Sequence, residues 1–139
     1  MYVGRTRCNE SLFLNANMLP IVDKVKDLGI VVDSNLTFTC HIDQIVARAF
    51  TRANLIHKCF VSRDTASLTR AFTVYVRPLL EYGSPVWSPY HSGKIIQIER
   101  VQRSFTKRLP GLKSVNYLER LEQLGLESLE MRRLRQDLI

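Results

Sequence analysis

The spacing of apolar residues changes character once along the chain, near residue 40. Before that point the signals are strand-like. Leu12 and Leu14 alternate with polar residues, Asn15-Ala16-Asn17 offers a turn, and a second apolar stretch covers 18–22. Residues 25–32 are rich in β-branched side chains, interrupted by Asp27 and Gly29, and Asp33-Ser34-Asn35 supplies a strong turn. The pattern predicts a small antiparallel hairpin or a three-stranded piece. Strands this short cannot bury both faces alone, so they must pack on helices.

After residue 40 the period becomes helical. Ile42, Ile45, Val46, Ala49, Phe50, Ala53, Ile56 and Phe60 recur at three and four, which predicts an amphipathic helix over 40–60. Asp64 is a good N-cap for a second helix, with Leu68, Phe72, Tyr75 and Leu79 inward and a kink at Pro78. Ser92 opens a third helix, with Ile95, Ile98, Val101, Gln102, Phe105 and Leu109 on its inner side, and Pro110-Gly111 ends it. Asn116 and Glu119 form a capping box for a short fourth helix that Gly125 stops. Ser128 begins a basic fifth helix with Leu129, Leu134 and Leu138 inward. The expected fold class is α+β, mostly α: a β-rich piece over 1–40, then a bundle of four to five helices over 41–139.

Composition adds little to that picture, but charge does. The chain has 139 residues, 45% hydrophobic and 24% charged, which are ordinary globular values. The net charge is +7. Arg5, Arg7, Lys24 and Lys26 balance Glu10, Asp23, Asp27 and Asp33 in the first part, so the helical part holds the whole excess. A basic half beside a neutral half fits a polyanionic partner, nucleic acid being the commonest; an ordinary solvated basic surface is the other reading. Cys8, Cys40 and Cys59 form no C-x-x-C pair and no zinc-knuckle spacing, as in a reduced intracellular protein. The N-terminus lacks an apolar signal-peptide core, and no apolar run approaches a membrane span.

Catalytic chemistry finds few candidates. His41, His57 and His91 show no metal-ligand spacing. His41 beside Cys40 reads better as a boundary residue bonding loop backbone than as half of a nucleophilic pair. Two-metal phosphoryl transfer needs close carboxylates, and no Asp-Asp pair occurs. The six glycines never cluster into a phosphate loop. The basic residues say more. Arg100, Arg103 and Lys107 fall three and four apart on one helix face, Arg48 and Arg52 lie one turn apart, and the last helix adds Arg132, Arg133 and Arg135. Such rows can match phosphates along a duplex; they also occur on solvated helix faces, where Glu99 and Glu130 would make weak local pairs. The stretch 77–87 stands apart, with two prolines, a tyrosine and the only tryptophan. Trp87 reads as core ahead of a base-stacking platform, and Glu81 is expected to pair with Arg77 at i−4.

These residues resemble a known family. Val25-Lys26-Asp27-Leu28-Gly29-Ile30, then Asp33, Leu36, Phe38, His41-Ile42 and Ala49, begin the match. It is most specific over 76–89, from Val76-Arg77-Pro78-Leu79-Leu80-Glu81-Tyr82-Gly83 to Ser84-Pro85-Val86-Trp87-Ser88-Pro89. Ile98-Glu99-Arg100-Val101-Gln102-Arg103, Phe105-Thr106, Tyr117, Glu119-Arg120-Leu121, Leu124-Gly125-Leu126, Ser128-Leu129, Arg132-Arg133 and Asp137-Leu138 continue it. Together they resemble the C-terminal region of the reverse transcriptases of non-LTR (LINE-type, jockey-like) retrotransposons.

The resemblance implies that 1–40 ends the polymerase palm and that 41–139 forms the thumb, which grips an RNA/DNA template–primer duplex weakly and without sequence preference. That role suits the basic helix faces read from spacing, so nucleic-acid contacts are expected at Arg48, Arg52, Arg100, Arg103, Lys107, Arg132 and Arg133, with a structural motif of Arg77, Pro78, Glu81, Tyr82 and Trp87. The family's paired metal-binding aspartates have no match here, so no catalytic residue, metal site or cofactor is assigned; Mg²⁺ is expected only for a complete polymerase. The expected partners are the duplex and the missing palm, with no membrane, and the expected location is intracellular. The expected origin is a fragment, with Met1 an arbitrary internal methionine, inactive on its own as an enzyme. A helical protein–protein module reused by a host is the alternative. Missing palm contacts would leave apolar strand faces exposed and the isolated chain poorly soluble.

Overall fold

The computed structural model describes residues 1–4 and 10–139; Arg5, Arg7 and Cys8, used in the charge and cysteine readings, lie outside the described residues. The chain divides into two compact units, Met1–His41 and Ile42–Ile139.

The first unit holds two antiparallel hairpins, β1 (Phe13–Leu14) with β2 (Asn17–Met18) and β3 (Lys24–Asp27) with β4 (Ile30–Asp33). Each closes through two residues of positive φ: Asn15 and Ala16 at 48° and 64°, Leu28 and Gly29 at 46° and 86°. That is the mirror-image turn whose twist matches paired strands. Gly29 reaches it without cost, whereas Leu28 is strained there. β3 is exposed throughout, while Ile30, Val31 and Asp33 of β4 are buried.

Asp33 organises the chain beyond β4. Its Oδ1 accepts the amides of Asn35 (3.1 Å) and Thr37 (2.9 Å), and its Oδ2 accepts the Thr37 hydroxyl (2.8 Å) and the Phe38 amide (2.9 Å). Leu36 and Phe38 both sit at φ 54°, which costs about 1–3 kcal/mol each. Four bonds to a carboxylate, at roughly 1.5–3 kcal/mol apiece, outweigh that strain. The same bonds set the carboxyl's acidity. Burial pushes its pKa up, but the Thr37, Asn35 and Phe38 donors prevail and hold it below the usual value. His41 Nδ1 accepts the Val31 amide at 3.3 Å.

Helix α1 covers Thr39–Cys59 and carries its predicted apolar positions inward, Phe50 and Phe60 being only half-buried. Asp64 caps α2 (Thr65–Tyr75) by accepting the Ser67 amide at 2.9 Å. Pro78 does more than kink that helix: α2 ends at Tyr75, and two short helices follow, α3 (Arg77–Glu81) and α4 (Ser84–Trp87). Tyr75 is exposed, not inward as expected, because the break releases it from the face of Leu68 and Phe72. α5 covers Ser92–Lys107 with His91 at the N-cap, so Ser92 lies inside the helix. α6 (Tyr117–Leu124) starts after Asn116, which makes no side-chain cap bond; the predicted capping box is not formed. Gly125 stops α6 at φ 62°, a left-handed turn that favours glycine. Ser128 caps α7 (Leu129–Asp137) by accepting the Met131 amide at 3.2 Å.

The observed class is the one expected, mostly helical with small antiparallel hairpins at the start. The second unit is centred on Phe72 and Phe105, whose rings stack at 4.5 Å, with Leu68, Leu80, Trp87, Ile98, Val101 and Leu129 fully buried around them. Leu134 and Leu138 were expected inward on α7 but are 50% and 88% exposed. The helix is short, and its buried side is the stripe through Leu129 and Arg133.

Candidate nucleic-acid interface

α1 and α5 lie side by side and run parallel. Near their starts Lys94 Nζ pairs with Asp43 Oδ1 at 2.6 Å, and Gln97 Nε2 donates to the same oxygen at 2.8 Å. Both bonds hold the Asp43 carboxyl below its usual pKa. Near their ends Arg108 Nη1 donates to Asn54 Oδ1 at 2.6 Å, and the His57 ring meets Phe105 at 4.5 Å. This register brings the C-terminal ends of both helices to one edge of the unit.

The inward side of α5 is apolar, and its other side carries Arg100, Arg103 and Lys107, all exposed. A span of seven residues on a helix is about 10 Å. Along that distance a duplex presents about six phosphate charges, so the row is matched in length and sign to a duplex flank. Among the described residues no carboxylate forms an ion pair with these three. Arg103 also lies over the Tyr117 ring, 4.7 Å from its centre, which steadies its stem and leaves its charge exposed.

The other predicted contacts separate from this row. Arg48 is exposed one turn before Arg52. Arg52 donates to the Tyr75 carbonyl at 3.2 Å and borders an apolar hollow of about 290 Å³ with Leu55, Ile56, Cys59, Phe60 and Tyr75. Arg132 forms a two-point pair with Glu81, at 2.5 and 3.1 Å, and this bond raises its pKa. Glu81 therefore bonds Arg132, fifty-one residues on, and not Arg77 as expected. Arg133 is 2% exposed. Burial lowers its pKa, while Glu99, then Glu130 and Glu81, support its charge. Arg132 is engaged by Glu81 and Arg133 lies inside, so the structure sets both apart from the exposed row on α5.

The 77–87 stretch builds the seat for α7. Trp87 is 1% exposed, and its indole donates to the Tyr82 carbonyl at 2.8 Å. Ser84 donates to Gln136 at 2.7 Å, and Arg77 donates to the Glu127 carbonyl at 3.1 Å. Arg77 is buried, and burial followed by the nearby Arg132 charge lowers its pKa. Glu99 ties α5 to the same place: one carboxyl oxygen accepts the Tyr117 phenol, and the other accepts the Leu129 (2.9 Å) and Glu130 (3.3 Å) amides at the start of α7. Burial, then the bond to Glu99, pushes the Tyr117 pKa up. Trp87 is thus a core residue with its polar edge satisfied.

Sequence reasoning missed a cationic hollow where α1 and α5 end. It measures about 510 Å³ and is lined by His57, Arg63, Lys107, Arg108, Leu109 and Lys113. Arg63 lies in the α1–α2 link, Arg108 caps α5, and Lys113 follows in the next loop. Of these, Lys107 is the residue that the sequence had put forward as a nucleic-acid contact. His57 lies 5% exposed, and neither ring nitrogen makes a well-formed hydrogen bond. Burial lowers its pKa, as does the Arg108 charge; the nearby Phe105 carbonyl pulls the other way, and Arg63 adds to the depression.

Among the described residues no group of three or more His, Cys, Asp or Glu is placed to hold a metal ion, and no helix is long and apolar enough to cross a membrane.

No family model matches the chain, and no solved structure matches it. Over 119 residues it is 31% identical to an uncharacterized protein of Caenorhabditis elegans, B0403.1, covering 84% of this chain and 60% of that protein. Over 110 residues it is 24% identical to a probable RNA-directed DNA polymerase from transposon X-element of Drosophila melanogaster, covering 77% of this chain and 12% of that protein. The chain thus spans less than two thirds of either relative, and its likeness to a transposon reverse transcriptase is distant and confined to one portion of that enzyme.

Proposed function

We propose that the chain is a region derived from a retrotransposon reverse transcriptase and that its helical unit, residues 41–139, is the thumb that holds a template–primer duplex through backbone phosphates. Residues 1–40 are then the end of the palm. The observation that carries this reading is the division of labour among the arginines. Arg77, Arg120 and Arg133 are buried and Arg132 is bonded to Glu81, whereas Arg100, Arg103 and Lys107 stand exposed in one row on α5 without an ion pair among the described residues. The distant likeness to a transposon polymerase supports the same reading. Nucleotide transfer, with its carboxylates and Mg²⁺, belongs in this account to parts of a polymerase other than these residues. The thumb's contribution is electrostatic and positional, and it carries no base readout.

The test is equilibrium binding of the whole chain to a short RNA/DNA hybrid. Wild type should bind sequences of equal length alike, with affinity that falls steeply with salt. Changing Arg100, Arg103 and Lys107 together to alanine should reduce the salt slope by about three, one per contact. An unchanged slope removes these residues from the interface.

A second reading rests on the apolar hollow beside Arg52, where Leu55 and Tyr75 are exposed. Such a surface suits a protein partner, and a helical adaptor using it would show little salt dependence.

A further inference from the structure

We propose that the hollow formed by His57, Arg63, Lys107, Arg108 and Lys113 is a binding pocket for a single phosphate group. The inference rests on the proposed duplex-holding role only for the source of that phosphate, not for the pocket itself.

Three independent features point to an anion. The first is charge. Arg63, Lys107, Arg108 and Lys113 line one hollow together with a histidine, among the described residues no acidic one lines it, and Leu109 is the apolar member. The ends of α1 and α5 account for part of this, since helix C-termini attract cations. Each end carries only about half a negative charge, so two ends leave an excess of about +3.

The second is shape. At about 510 Å³ the hollow falls within the range of small-ligand sites, about 300–1,000 Å³. It is bounded by the last turn of α1, the end of α5 and the loop that carries Lys113.

The third is His57. Its ring nitrogens are buried without a well-formed hydrogen bond, although the residue lines the hollow. Buried polar atoms without a partner are uncommon and call for an explanation. The groups facing it are the Phe105 ring and carbonyl and the Arg63 and Arg108 charges, with Lys107 and Lys113 sharing the hollow; among the described residues no carboxylate accompanies them. A neutral imidazole offers one N–H to a phosphate oxygen. Burial, then the Arg108 charge, lowers the ring's pKa, and an arriving anion would offset the Arg108 and Arg63 charges and favour a charged hydrogen bond from the histidine.

The phosphate has two possible sources, a nucleic-acid strand or free phosphate, and the experiment separates them. Full-length labelled chain is titrated with inorganic phosphate while the His57 ring and arginine side-chain signals are followed by NMR. Saturable shifts should appear at His57, Arg63 and Arg108, and the His57 titration midpoint should rise by at least half a unit. In the Arg63→Ala/Lys113→Ala variant, whose substitutions are exposed and in loops, phosphate affinity should fall at least fivefold with the circular dichroism unchanged. The same variant is tested on hybrid duplexes with a 5′-phosphate or a 5′-hydroxyl. Weaker binding of both duplexes assigns a backbone phosphate, weaker binding of the phosphorylated one alone assigns a strand end, and no effect on either assigns free phosphate; each supports the pocket. Absence of saturable His57 shifts, or equal phosphate affinity in variant and wild type, overturns it. Duplex binding that persists in that case leaves the thumb reading intact. Phosphate binding without any duplex binding leaves the pocket standing and removes the thumb.

Discussion

Replacing Glu99 by glutamine should destabilise the helical unit by about 3 kcal/mol, far beyond an ordinary surface change. The carboxylate accepts the Tyr117 phenol on one oxygen and the Leu129 and Glu130 amides on the other. Hydrogen bonds to a charged acceptor contribute roughly 1.5–3 kcal/mol each, against about 1 for neutral ones. An amide keeps a single acceptor oxygen and turns an NH₂ toward groups that also donate, so at least one of these bonds is lost. Removing a negative charge from the start of α7 costs a further 0.3–1 kcal/mol or so. Arg133 adds to the loss, because Glu99 leads the carboxylates that support its buried charge. The assay is urea unfolding followed by the emission of Trp87, the only tryptophan. With a slope of about 1–3 kcal/mol per molar urea, the midpoint should fall by about 1–3 M. Glu122→Gln, an exposed change, should stay within about 0.5 kcal/mol. Tyr117→Phe should be non-additive with Glu99→Gln by about 1 kcal/mol. A Glu99→Gln midpoint equal to that of Glu122→Gln would refute the claim that this carboxylate pins α7.

Other outcomes follow from the same geometry. Trp87→Ala should cost about 3–5 kcal/mol, seen as a lowered thermal midpoint by circular dichroism; a change under 1 kcal/mol would place Trp87 outside the core. Asp33 is held below the usual carboxyl pKa, so its contribution is present above the unfolded value of about 3.9. It is lost as pH falls through the lower folded value, and hydrogen exchange of the Thr37 and Phe38 amides should lose protection there. Protection that persists after the Asp33 carboxyl itself, followed by NMR, has been protonated contradicts this. Arg132→Ala should cost about 1–3 kcal/mol, between an exposed and a buried pair, and leave the salt slope of duplex binding unchanged; a lower slope would return Arg132 to the interface.

The long-range order of the fold was legible in the sequence where periodicity was strong. Helices α1 and α5 show unbroken three-and-four spacing, and their buried faces match it. The strand register was less plain, because Leu28 in a left-handed turn position defies its own preference; the break at Asp27 and Gly29 in a β-branched run marked the hairpin without placing its turn. Arg132, Arg133 and Arg135 look alike in sequence. Spacing could have singled out Arg133, which lies four residues after the buried Leu129 and so shares its face. Glu81 was misassigned because local i−4 spacing ignores a partner on another helix. The phosphate pocket was illegible for a stronger reason. Arg63, Arg108 and Lys113 sit in a link, a cap and a loop, where no periodicity applies. Only the parallel register of α1 and α5 brings them to one place.

The salt dependence of duplex affinity probes the central claim directly. If Arg100, Arg103 and Lys107 each meet a phosphate and the pocket of Arg63, Arg108 and Lys113 takes at most one more, a plot of log affinity against log salt for an RNA/DNA hybrid should have a slope of about −3 to −4. Between 50 and 200 mM salt that is a loss of about a hundredfold. A slope near zero, or binding that depends on base sequence more than on salt, would contradict the account.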